Sequence, residues 1–75
     1  MSKLPTCSGR DCVRALEKGG FEFVRQKGSH MILTREDPYA QVVIPNDREL
    51  PKGTLRSIIR GAGLSVEEFT DLLKD

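Results

Sequence analysis

The residue with the plainest chemical potential is His30, the only histidine in the chain. Histidine exchanges protons near neutral pH and so serves as a general base or acid. Here it follows Gly28-Ser29 at the start of an apolar run, with Arg25 and Lys27 just upstream. The plainer alternative is a surface or packing histidine, which lone histidines in small domains commonly are. The two cysteines, Cys7 and Cys12, offer less. A zinc site needs about four ligands, more than two thiols and one imidazole supply. With no secretory signal, both thiols are expected to be reduced and structural.

Charge spacing is the second feature. Arg10, Arg14 and Lys18 recur every fourth residue, and so do Lys52, Arg56 and Arg60. On helices each trio forms one stripe, and Lys/Arg stripes can follow a phosphate backbone without reading sequence. Solvated helix faces explain such residues too, although like charges at that spacing are slightly destabilising. Residues 1–63 hold eleven Lys/Arg against seven Asp/Glu, whereas residues 64–75 hold one against four. A basic body with an acidic tail points mildly to a polyanionic partner. Other patterns fail. Gly61-Ala62-Gly63 ends a helix rather than opening one, so it is no phosphate loop. The pairs Glu36/Asp37 and Glu67/Glu68 are explained by a turn and a first helical turn. Aromatics make up 5% of the chain, and Phe21, Phe23 and Phe69 are expected to be buried, leaving no stacking platform.

These residues must be held by a small frame. Seventy-five residues make one domain near the lower edge of independent folding. With 37% hydrophobic and 31% charged residues the chain is globular rather than disordered. No apolar run reaches the roughly 18 residues of a membrane helix, so a soluble protein with no membrane partner is expected. Residues 1–7 read as a loose arm. Ser8 caps a helix running to Lys18, with Cys12, Val13 and Leu16 on one face and Gly19-Gly20 as its stop. Strands follow at 21–26, 30–35 and 40–45, joined by short turns that favour antiparallel hairpins. Alternation places Met31, Leu33 and Arg35 on one face, and His30, Ile32 and Thr34 on the other. After a polar loop, Pro51 precedes a helix over about 52–61 with Leu55, Ile58, Ile59 and Ala62 at core spacing. Ser65 to Glu68 is a capping box for a last helix, 65–74, burying Val66, Phe69, Leu72 and Leu73. The fold class is α+β in the order αβββα, plus the short C-terminal helix.

Taken together, several ordered runs resemble one family. They are Gly19-Gly20-Phe21, Arg25-Gln26-Lys27-Gly28-Ser29-His30, Val42-Val43-Ile44-Pro45, Glu49-Leu50, and Gly53-Thr54-Leu55-Arg56-Ser57-Ile58-Ile59-Arg60. From about Ser8 to Leu73 the chain resembles the HicA (YcfA-like) toxins of type II toxin–antitoxin modules. The resemblance implies a double-stranded-RNA-binding-domain-like fold with a three-stranded antiparallel sheet. It also implies ribosome-independent cleavage of mRNA in the cytoplasm, with His30 catalytic, and a HicB-type antitoxin that masks it. Neither a metal nor a cofactor is expected. Many relatives carry a second histidine in the loop after the third strand, near where this chain has Asp47. For such chemistry Arg25, Lys27 and Arg56 are the candidates for phosphate contact, and Ser29 for orienting the phosphate or the histidine. Two rival readings stay open. One is a non-catalytic RNA-binding module; the other is an interaction protein docking a partner on Leu55, Ile58 and Ile59.

Overall fold

The computed structural model describes residues 3–74. Along them run α1 (Gly9–Lys18), β1 (Glu22–Lys27), β2 (His30–Arg35), β3 (Ala40–Pro45), α2 (Lys52–Gly61) and α3 (Val66–Leu73). The three strands form one antiparallel sheet in the order β1-β2-β3. The α+β order αβββα with a C-terminal helix, expected from the sequence, is the order observed.

The helix signals act as read. Ser8 Oγ accepts from Asp11 N–H at 3.0 Å, and the Asp11 carboxylate adds favourable charge at the α1 N-terminus. At α3 the box is reciprocal: Ser65 Oγ accepts from Glu68 N–H, and a Glu68 carboxylate oxygen accepts from Ser65 N–H. α2 has no side-chain cap and begins behind Pro51, whose φ of −58° already suits a helix.

Burial divides the sheet into two unlike faces. Met31 and Leu33 of β2 and Val42 and Ile44 of β3 are buried against Leu16, Leu55, Ile59 and Phe69 from the three helices. Each large aliphatic or aromatic side chain so enclosed contributes about 1.5–3 kcal/mol. Among the described residues, no helix covers the other face. It carries His30, Ile32 and Thr34 from β2 and Gln41 and Val43 from β3, as strict alternation expects.

One contact locks α1 to the sheet end beside His30. Gly9 N–H donates to the Asp47 carbonyl at 2.9 Å, and a Cβ on Gly9 would lie 2.1 Å from the Pro45 carbonyl oxygen. Only glycine lets the helix start approach the strand end so closely.

Three expectations need correction. The arm, taken as loose over residues 1–7, is held from its described part onward; residues 1 and 2 lie outside that part. The Cys7 carbonyl accepts from Leu50 N–H, and Lys52 Nζ reaches the Leu4 and Pro5 carbonyls at 3.3 and 3.5 Å. The first strand starts and ends one residue later than expected, so Lys27 belongs to it. Phe23, expected in the core, is 44% exposed, because it sits on the sheet's edge strand where only α1 lies beside it.

Candidate functional site

The β1–β2 hairpin gathers the candidate residues. Its loop is Gly28-Ser29, with a φ of 60° at Gly28 and none above zero at Ser29. That is the pattern of a tight II′ turn, which needs glycine at its first position and suits the strands' twist. The turn makes Lys27 and His30 the closing cross-strand pair. Such partners stand about 5 Å apart at Cβ and share a face. On its other side His30 pairs with Pro45, and the Ser29 carbonyl accepts from Asn46 N–H at 2.7 Å, continuing the ladder past the strand end. The histidine backbone is therefore held from both sides while its side chain is exposed.

A β-bulge decides which cations join it. The pairing slips between Phe23, opposite Leu33, and Arg25, opposite Ile32. With unbroken alternation, Arg25 and Lys27 would share Phe23's helix-bearing side. The extra residue, Val24, turns both cations onto the open face with His30 and sends Gln26, paired with Met31, to the helix side. Arg25, Lys27 and His30 are all exposed, and none of their side chains has a hydrogen-bond or ion-pair partner among the described residues. Two uncompensated positive charges beside an imidazole are the groups that binding an anion and moving a proton would call on. The bulge is what reading the sequence missed; the signal was Phe23-Val24 against Arg25-Gln26-Lys27, which no single alternation accommodates.

Other predicted residues fall elsewhere. Ser29 joins the hairpin tip through its carbonyl, and its hydroxyl has no hydrogen-bond partner among the described residues. Asp47 is exposed just beyond β3. Arg56 is not brought to the histidine. It projects from α2 into a groove shared with Arg60, Leu64 and Val66, to which no strand residue contributes. Three of the six residues in the basic stripes also have a structural task. Lys18 Nζ donates to the Lys74 carbonyl at 2.8 Å, Arg14 pairs with Asp11, and Lys52 holds the N-terminal segment. Arg10, Arg56 and Arg60 are left unpaired among the described residues.

The thiols do not compete with His30. Both are free and buried. Burial, and secondarily the neighbouring Cys7, pushes the Cys12 thiol up to about 12. Burial raises Cys7 as well, helped by the Asp11 charge and opposed by Lys52. Neither forms the thiolate that nucleophilic attack requires at neutral pH. Among the described residues, no three His, Cys, Asp or Glu side chains come together as metal ligands do, and no helix is long and apolar enough to cross a membrane. Leu55, Ile58 and Ile59 are 0–5% exposed, so the partner-docking surface considered for them does not exist.

An exposed histidine thus stands beside two free cations on the uncovered face of a small α+β domain. The chain belongs to the HicA toxins of bacterial toxin–antitoxin systems, whose family model it matches over residues 9–64. No curated protein matches it closely.

Proposed function

We propose that this toxin is a metal-independent endoribonuclease that cuts mRNA without the ribosome and is neutralised by a HicB-type antitoxin covering His30. Membership of a family generally made up of endoribonuclease toxins supports this reading. The observation that carries it is the Lys27–His30 pair with Arg25 on the same open face.

In this mechanism His30 takes the proton of a ribose 2′-OH, and the 2′-oxygen attacks the adjacent phosphorus. The P–O2′ bond forms as the P–O5′ bond breaks, and the 5′-oxygen leaves with a proton from water or Lys27. The products are a 2′,3′-cyclic phosphate and a 5′-hydroxyl. Lys27 and Arg25 stabilise the charge of the phosphorane, a task for fixed cations in a ready-made geometry. Ser29, one residue from the base, has a free hydroxyl to orient the phosphate. Arg56, on another part of the surface, holds phosphates away from the scissile bond. With mRNA as its substrate the toxin acts in the cytoplasm, and this chemistry requires no cofactor.

The test is incubation of the chain and its His30→Ala variant with a long mRNA in EDTA, followed by end analysis. The expected result is cleavage by the native chain to cyclic-phosphate ends, reduced 10²–10⁴-fold in the variant. Ends bearing 3′-hydroxyls would reject the chemistry. Tight, salt-dependent binding with no cutting by either chain would make it an RNA-binding module instead.

A further inference from the structure

A cleft of about 280 Å³ opens between α1 and β1, on the side of the sheet away from His30, lined by Arg10, Val13, Arg14, Phe23, Gln26 and Met31. Val13 and Met31 are 9% and 5% exposed and form an apolar floor, while Phe23 stands at the wall 44% exposed. Leaving an aromatic ring half in water forgoes a large part of its burial energy, so the wall asks for an occupant. The Gln26 side-chain amide donates to the Gly28 carbonyl at 3.0 Å, which fixes its plane and leaves its oxygen free. Arg10 has no partner among the described residues.

A ring wall, an apolar floor, one oriented amide and a flanking guanidinium are the parts that hold a nucleobase and its phosphate. We infer that this cleft takes one unpaired base of the RNA; this rests on the endoribonuclease reading above. The ladder supplies the connection. The Gln26–Met31 rung of the cleft adjoins the Lys27–His30 rung of the open face. Because β1 is the sheet's edge, no described strand lies beyond it. A nucleotide chain crossing Arg25 and Lys27 can therefore turn one base over the edge into the cleft. A duplex cannot, because its bases stay stacked. A protein strand added to β1 is the competing occupant. The bulge at Val24 interrupts the outer row of backbone groups, and Glu22, Arg25 and Lys27 guard it, so strand addition is disfavoured.

The test uses the full chain carrying His30→Ala, which binds without cutting, and a short unstructured RNA made abasic at each position in turn. One abasic position is expected to weaken binding about 5- to 150-fold, the worth of one base–aromatic stack. Adding Phe23→Ala should abolish that penalty, and Phe23→Tyr should restore it. Gln26→Ala should keep the penalty but level the differences among the four bases at that position. Thermal unfolding of each variant confirms that it is folded. A flat abasic profile in a chain that binds RNA would overturn the cleft assignment while leaving the nuclease reading intact; failure to bind RNA at all removes both. If Phe23→Ala, with His30 present, cuts normally but escapes the antitoxin, the cleft is a protein-docking site and the inference is wrong.

Discussion

The two ends of β2 carry cationic or ionisable side chains in opposite circumstances. At one end the Arg35 guanidinium lies over the Phe21 ring, 4.8 Å from its centroid, and donates to the Pro38 and Ala62 carbonyls, each at 3.0 Å. It ties the β2–β3 turn to the C-terminal end of α2, where the helix dipole favours a cation. At the other end, about 17 Å along the strand, the side chains of His30 and its neighbours Arg25 and Lys27 bond to nothing in the described chain. Arg35 stabilises the fold. Charge held free on an open surface is instead available to a ligand. The contrast explains why a count of basic residues says little about RNA contact until each is assigned to a partner.

The sharpest way to break this comparison is to remove both ends separately. His30→Ala should lower cleavage 10²–10⁴-fold and leave stability within about 0.5 kcal/mol. Arg35→Ala should do the reverse. Losing two hydrogen bonds from a charged group and a ring contact, partly in solvent, costs about 2 kcal/mol. In a domain of this size that lowers Tm by about 10 °C. Cleavage below that temperature should persist. Thermal unfolding and cleavage rates on the same preparations decide it; a folded Arg35→Ala chain that cannot cut would dissolve the division of labour.

Within the free end, position separates chemistry from binding. Lys27→Ala and Arg25→Ala are expected to reduce the cleavage step itself at saturating RNA, by about 10²-fold for a cation that meets the developing charge. Arg56→Ala should leave that rate unchanged and weaken binding only. Its loss should flatten the plot of log affinity against log salt by about 0.7 for single-stranded RNA. Single-turnover rates beside binding titrations distinguish the two. An Arg56 effect on the rate at saturation would mean that α2 reaches the scissile phosphate after all.

Much of the frame was legible because its signals are local. Ser8 and Ser65 cap helices through hydrogen bonds spanning three residues, and Gly28 sets a turn by its own φ. The open face of β2 followed from period-two alternation alone. What failed depends on long-range register. The exposure of Phe23 reflects an edge position that strand composition does not encode, and the bulge at Val24 is a property of pairing with β2. The candidate site was therefore half legible. His30 could be placed on the uncovered face, but bringing Arg25 and Lys27 to the same face required the slip. Arg56 was grouped with them by charge, and no spacing rule could show that α2 carries it elsewhere.

The smallest expected effect tests that register directly. Deleting Val24 removes the extra residue and restores one-to-one pairing, so Phe23 still faces α1 while Arg25 and Lys27 still face the side of His30. The shortened strand should fold, with stability changed by no more than about 1 kcal/mol, and should keep most of its cleavage. Deleting Gln26 shortens the chain equally and also leaves four residues against four, but it sets Val24 opposite Ile32 and Arg25 opposite Met31 on the helix side, with Lys27 still paired to His30. That chain should lose cleavage to about the level of Arg25→Ala. If both deletions behave alike, face assignment does not govern activity. If only the Val24 deletion is tolerated, the bulge serves to set register, and the open face is where the charge must be.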